Sequence, residues 1–321
     1  MTNILKKKEI PVVFAVDDNY APFLSVALNS ILTNLSINYF LKVYVLNTGL
    51  SKSNQEKIKM LAEQYSQDVD VEYVDITERL NGLLDKMHVR DYYTTAIYYR
   101  IFIPSLFPEY EKIIYIDCDI VMLTDISKLY NVDLKDNIVA AVHEEAMSSY
   151  DCFGKYSEDF LDVPKMDYFN SGLLVINTKE YKKQKIEEKF INLMLNHKFE
   201  VAPDQDYLNV LLKGKVKLLD IGWNKTPIPE KQFDDSNLKV IHYKLNFKPW
   251  HYKGVRYEDY FWKYASNTPF INDLLSMRDN YTDKEKQRDT LAFSNLQKMA
   301  LDYIASENNY KKLKGAKNAI W

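Results

Sequence analysis

A chain of 321 residues can bury a full core and still carry an appendage beside its main domain. Its 42 Lys and Arg against 45 Asp and Glu give a formal charge of -3, which removes the global basic excess that nucleic-acid binding draws on. Only 8 glycines are present, with neither GxGxxG nor GxxxxGK[ST], so a bound diphosphate would have to be met by a cation or by Lys, Arg and His side chains.

The first eight residues carry three lysines but lead into an apolar run at 10–16 that is strand-length, too short for a signal segment or a membrane span. With Cys118 and Cys152 far apart and no secretory segment, the expected setting is a reducing cytoplasm. β-branched runs at 10–16, 41–46 and 69–74 alternate with amphipathic stretches at 22–33 and 54–65, which predicts βαβαβ. Pro22 suits a first helical turn, and Ser53 followed by Glu56 predicts a capping box on the second helix. After a loop around 82–92, residues 94–102 read as helix and 112–116 as a strand running into Asp117-Cys118-Asp119. Further strands are expected at 138–142, 173–177, 216–219 and 239–241, with helices near 179–196 and 204–212. From Tyr257 the pattern turns helical and charged, at 260–265, 270–277 and 284–304. Residues 282–321 hold eight Lys or Arg against five Asp or Glu among Phe293, Tyr303, Tyr310 and Trp321. That composition fits a solvated helical appendage and would permit weak contact with an anionic surface.

Two aspartates one residue apart after an apolar strand can direct both carboxylates at one hard cation, Mg²⁺ or Mn²⁺, at the sheet edge where open α/β folds bind ligands. A solvated strand-end turn has the same pattern. In His242-Tyr243-Lys244-Leu245-Asn246-Phe247-Lys248-Pro249-Trp250 an imidazole follows a short strand and a lysine comes six residues later. The imidazole can complete a Mn²⁺ site and the lysine can bind phosphate, though a strand-end histidine also serves as a core or capping residue.

Together with Phe14-Ala15-Val16-Asp17-Asp18-Asn19-Tyr20, Tyr99-Arg100, Phe169-Asn170-Ser171-Gly172 and Pro203-Asp204-Gln205-Asp206, these blocks resemble the family 8 glycosyltransferases over residues 10–255. That family of retaining enzymes includes bacterial lipopolysaccharide galactosyltransferases and the glycogenins. The resemblance implies an α/β fold of GT-A type, a Rossmann-like nucleotide-binding domain with a mixed central sheet over 1–255. Residues 256–321 would form a helical region on the acceptor side, for packing or peripheral membrane contact. It implies a UDP-galactose or UDP-glucose donor held through Mn²⁺ (or Mg²⁺) by Asp117, Asp119 and His242. Ala15, Asp17 and Asn19 would lie against the uridine, with Cys118 and Ser171 also on the donor side. Arg100 would approach the sugar and diphosphate, Asn170, Asp204 and Gln205 would line the sugar pocket, and Lys248 would meet the diphosphate. Some relatives carry glycine three residues after the histidine, where this chain has Leu245, so the backbone there would approach phosphate less closely.

Read without that resemblance, Asp17 to Asn19 could be a turn and helix cap, Arg100 a solvated helix residue, and Asp204 to Asp206 the start of a helix. Mechanistically the catalytic group is expected to be Asp204, Gln205 and Arg100, with the cation, His242 and Lys248 stabilising charge on the departing diphosphate. A covalent route would need a carboxylate at the anomeric carbon, for which Asp204 is the candidate, whereas front-face attack needs none and is favoured. Two rivals remain open here: an aspartate-nucleophile Mg²⁺ phosphatase, which shares the strand-DxD pattern, and a UDP-sugar binding protein without turnover. The acceptor is expected to be a saccharide on a lipid carrier or glycoprotein, read by residues 144–165, with Glu144 facing it, and by the C-terminal helices. A cytoplasmic protein, free or peripheral to the inner face of the cell membrane, fits that chemistry.

Overall fold

The computed structural model describes residues 7–65, 68–87, 89, 94–228 and 232–316. Its strands are β1 (Lys8–Ala15), β2 (Tyr39–Asn47), β3 (Val69–Asp75), β4 (Lys112–Ile116), β5 (Ile120–Met122), β6 (Val139–His143), β7 (Phe169–Asn177), β8 (Val216–Leu219) and β9 (Val240–His242). Seven of them form a sheet in the order β3-β2-β1-β4-β7-β6-β8, and β5 pairs with β9 in a small separate sheet. β7 runs antiparallel to both its neighbours while the other pairings in the large sheet are parallel, so the expected mixed sheet is present.

Alternation along the central strands builds the two apolar layers. Ile10, Val12 and Phe14 of β1, Ile114 and Ile116 of β4, and Leu173 and Val175 of β7 enter one layer. Val13, Ile113, Tyr115, Leu174 and Ile176 enter the other. Both faces are covered, which is why these strands read as continuous apolar runs. The helix Ala21–Thr33 is buried at every position but Thr33. It is wedged between the sheet and the helix Glu258–Ala265, where Asn29 Nδ2 donates to Tyr264 O at 2.8 Å. The second layer is rich in aromatics: Tyr98, Tyr115, Tyr156, Tyr168 and Tyr207 are fully buried, which accounts for much of the high tyrosine content. Their hydroxyls need partners in such a place. Tyr156 and Tyr168 donate to Asp206 at 2.9 and 2.6 Å, and Tyr207 donates to His197 O at 2.7 Å.

The C-terminal helices Glu258–Ala265, Ile271–Asp279 and Asp283–Ala305 share these layers. Phe261, Tyr264, Phe270 and Leu274 join the first, and Leu296 and Ala300 the second. Among the described residues no helix is long and apolar enough to cross a membrane.

Several local expectations are corrected. The helix Lys52–Glu63 is capped by Ser51, whose side chain accepts from Asn54 N, while Ser53 lies inside it. Ser51 is drawn into place by its own N–H, which donates to Asp18 Oδ1 at 2.8 Å. The span 179–196 is two helices, Thr178–Lys183 and Ile186–Asn196, separated by Lys185 at φ 53°, a break that lets Ile186, Phe190, Leu193 and Met194 enter the second layer. Residues 95–102 form a 3₁₀ helix, and β5, at three residues, is too short to show as a periodic run. Tyr92 and Trp321 lie outside the described residues.

The approach to β9 passes over Gly222, whose carbonyl accepts from Lys239 N at 2.9 Å. A Cβ on Gly222 would lie 2.0 Å from Asn237 O, so the crossing tolerates no side chain. Gly222→Ala is therefore expected to lower stability by about 1–3 kcal/mol, read as a reduced urea midpoint at unchanged slope.

Candidate active site

β4 delivers Asp117 to the C-terminal edge of the sheet, where Asp117 N donates to Gly172 O of β7 at 2.7 Å. Two residues on, Asp119 O accepts from Tyr243 N at 2.9 Å, just beyond β9, so the small sheet brings His242 over the same turn. His242 Nε2 lies 3.0 Å from Asp119 Oδ1 and 3.8 Å from Asp117 Oδ2. One ligand atom from each of Asp117, Asp119 and His242 lies within 4.8 Å of the others.

The proton on His242 can be placed from the backbone outward. Gly172 N–H, which can only donate, gives to Asn170 Oδ1 at 2.9 Å, fixing that atom as oxygen. Asn224 therefore presents Nδ2 to it at 2.8 Å, and turns its own Oδ1 to His242 Nδ1 at 2.9 Å. Nδ1 must then carry hydrogen, and it is Nε2 that faces the two carboxylates, with a lone pair in the singly protonated tautomer. Acceptor faces acceptor there unless a proton or a metal cation lies between them. Gly172 leaves the room: a Cβ on it would sit 2.5 Å from both Asp117 Oδ2 and His242 Cε1. Two carboxylates and one imidazole with a fixed tautomer suit a divalent cation that accepts oxygen and nitrogen, Mn²⁺ above Mg²⁺.

Arg100 is buried rather than solvated. Its Nη1 donates to Ser171 O and Oγ at 2.6 and 2.9 Å, its Nη2 to Asp117 Oδ1 at 2.9 Å and its Nε to Ile97 O at 2.9 Å. Nε also lies 3.2 Å from Asp204 Oδ2, and the guanidinium carbon stands 4.4 Å from the Tyr115 ring centre. Burial works against its charge, but the flanking Asp117 and Asp204 more than restore it, so its pKa rises. Asp204, at the start of the helix Pro203–Leu211, accepts from Ser171 Oγ at 2.9 Å. Burial pushes its carboxyl up, with Arg100 opposing. Gln205 Oε1 accepts from Ser171 N at 2.9 Å and Asn170 Nδ2 at 3.1 Å. Pro203 does start a helix, and the same turn carries site residues. The third carboxylate, Asp206, faces away onto the two tyrosines, and burial lifts it to about 7.

A cavity of about 160 Å³ joins these groups, lined by Ala15, Asp17, Arg100, Asp117, Cys118, Asp119, Asn170, Ser171, Asp204, Gln205 and His242. Of the remaining candidates, Asn19 is exposed and off the cavity. Asp17 Oδ1 accepts from Tyr20 N at 3.0 Å, so it is a turn cap as well as part of the wall. Lys248 is buried against Tyr20 and Trp250 and lines a second cavity; burial lowers its pKa, with Asp119 opposing. Cys118 Sγ donates to Ala15 O at 3.4 Å, tying the turn to β1, and burial pushes the thiol well up. Leu245 takes φ 56°, the left-handed backbone that glycine adopts without strain.

Sequence reasoning missed Asn224, which had no motif around it, and Lys244, which lay inside a quoted block unremarked. Lys244 pairs with Glu144 on the cavity wall. Glu144 also accepts from Ala146 N at 3.0 Å and Asn170 Nδ2 at 2.7 Å. Burial would raise this carboxyl, yet Lys244 and those donors hold it down at about 2.

Comparison with known proteins follows the same lines. Residues 11–254 match the sequence profile of glycosyl transferase family 8. The chain is 32% identical over 287 residues to General stress protein A of Bacillus subtilis (strain 168), covering 82% of this chain and 96% of that protein. It is 27% identical over 328 residues to a lipopolysaccharide 1,2-glucosyltransferase of Escherichia coli, covering 97% and 93%. The crystal structure of the galactosyltransferase LgtC with donor and acceptor sugar analogues superposes with a TM-score of 0.65 at 22% identity, covering 81% and 96%.

Two outcomes are expected. Asn224→Leu, which cannot accept from Nδ1, should weaken Mn²⁺ binding about 10–100-fold by calorimetry, and Gly172→Ala should abolish it. Because Glu144 titrates below its ordinary 4.5, its contribution is complete above that pH and is lost as pH falls toward about 2. The urea-stability gap between wild type and Glu144→Gln, on the order of 3 kcal/mol at neutral pH, should close across that window.

Proposed function

The chain belongs to glycosyl transferase family 8 and is a glycosyltransferase of GT-A type, and from that premise we propose that it is a retaining, metal-dependent hexosyltransferase moving glucose or galactose from a UDP-sugar to a saccharide acceptor. Family membership removes the phosphatase and the non-catalytic binding protein as rivals. The observation that carries the finer reading is His242 Nε2 facing Asp117 and Asp119 in the same cavity as the Arg100–Asp204 pair. Asp117, Asp119 and His242 would hold a Mn²⁺ ion, which would supply Lewis acidity to the diphosphate when bound.

The chain's own residues do the rest. Ala15 and Asp17, on the wall next to Cys118, take the uridine side, and Lys248 behind Tyr20 adds positive charge toward the diphosphate. Arg100 presents a guanidinium already oriented by Ser171, so little reorganisation accompanies charge development. Asp204, with Oδ2 occupied by Ser171 and Arg100, is placed to orient sugar hydroxyls rather than to attack carbon, and Gln205 and Asn170 brace each other across the pocket. In the front-face course that this supports, the bond from the anomeric carbon to the β-phosphate oxygen breaks with its electron pair left on that oxygen. The acceptor hydroxyl forms the new bond on the same face, and its proton passes to the departing phosphate.

Residues 256–321 are assigned to the acceptor side, and the acceptor to a lipid-linked or protein-linked saccharide. The reading carries a cytoplasmic setting, free or peripheral to the membrane, in which Cys118 and Cys152 persist as thiols.

Calorimetry of UDP with and without Mn²⁺ tests the donor site: binding should require the ion and fall by more than about tenfold in Asp119→Ala. Metal-independent or absent UDP binding would sink the assignment. A glycosyl adduct on Asp204, found by mass spectrometry, would replace front-face attack with the covalent course.

A further inference from the structure

A second space lies beside the donor cavity. It measures about 570 Å³, within the range of small-molecule sites, and separates the loop 245–251 from the C-terminal helices Ile271–Asp279 and Asp283–Ala305. Leu245 and Leu296 line both cavities, so the two share a wall.

Its lining is built rather than incidental. His251 and Tyr281 stack face to face, ring centres 3.9 Å apart and planes 6° apart. Tyr281 Oη and Tyr252 Oη both donate to Asp289 Oδ2 at 2.7 Å, which pins the carboxylate to the aromatic platform. Among the described residues no donor reaches the other oxygen, Oδ1. Charge around the space favours no anion: Lys248 is turned toward Tyr20 and the donor side, Arg288 stands against Asp289, and the Glu285 carboxylate is already used to cap the helix at Thr282. Burial, with help from Lys248, lowers His251 to about 4, so the ring stays neutral at physiological pH. Such a lining rewards neither a phosphate nor a cation. It offers an aromatic face, a fixed acceptor, the Asn246 amide and a guanidinium, which is the set that a hydroxyl-rich, uncharged ring can use.

We propose that this cavity is a saccharide subsite, holding a neutral sugar unit of the acceptor beyond the one that receives the hexose. The proposal rests on the transferase reading for the word acceptor, but not for the chemistry of the cavity. Leu245 and Leu296, common to both linings, set the bound unit beside the donor cavity.

Saturation-transfer NMR with glucose, galactose, maltose and lactose as probes tests it on the full chain. Transfer to at least one disaccharide is expected, weakened about fivefold in Tyr281→Ala and in Asp289→Asn, with Tyr281→Phe intermediate because the stack survives and the hydroxyl does not. Mn²⁺-dependent UDP binding, measured on the same samples, reports the donor site separately and shows that the variants are folded. UDP binding with no transfer to any of the four sugars, or with equal transfer in wild type and both variants, overturns the subsite while leaving the donor assignment standing. Transfer to a sugar in wild type without any UDP binding, lost in Tyr281→Ala and Asp289→Asn at an unchanged thermal midpoint, sustains a saccharide site and overturns the donor assignment instead. Binding of farnesyl phosphate that Tyr281→Ala removes, in place of sugar, would assign the cavity to a lipid carrier and overturn the proposal.

Discussion

Arg100 carries a full charge in a place where water barely reaches, and the surrounding structure is arranged to make that tolerable. An ion in such a position costs several kcal/mol unless its donors are all met. Here Ser171, Ile97, Asp117 and Asp204 meet them. The arrangement links four stretches of chain: the 3₁₀ helix Thr95–Phe102, the end of β4, the start of β7 and the helix Pro203–Leu211. Each supplies a group that would be poorly satisfied without the others. The edge carrying Asp117, Asp119 and His242 and the pocket around Arg100 and Asp204 are thus one electrostatic unit, since Asp117 belongs to both.

Much of this was legible beforehand because strands buried on both faces print themselves as apolar runs, and because Asp117-Cys118-Asp119 ends such a run. The positions of eight strands followed from the same signal, while the mixed direction of the sheet was implied only by the family resemblance. What could not be read had no local signature. Arg100 looks solvated in a window of eight residues, since its partners lie at 117, 171 and 204. Asn224 holds His242 through one hydrogen bond formed across 18 residues of chain. β5 is shorter than one period of any pattern, yet it positions His242. The cap at Ser51 was misread because its setting is decided by Asp18, 33 positions away.

The second cavity illustrates the same limit from the other side. The C-terminal helices show ordinary amphipathic spacing, and nothing in that spacing says that Tyr252, Tyr281 and Asp289 will meet. Their meeting depends on the turn after β9, where Leu245 takes a backbone conformation uncommon for a leucine. Local strain of that kind persists when the packing around it over-determines the chain, here by Trp250 seated against Phe23 and Phe261.

The reversed direction of β7 has a consequence for how such an enzyme can change. Parallel strands present only their exits to the ligand edge, but β7 presents its entrance, so Asn170, Ser171 and Gly172 are the first residues after the segment 144–168 rather than the last before a helix. Tyr156 and Tyr168 tie that segment to the core, but its exposed turns can vary upstream of a fixed anchor, with Asp117 N hydrogen-bonded to Gly172 O keeping the register. Selection can therefore reshape those turns one at a time, while the strand end that follows them is inherited unchanged.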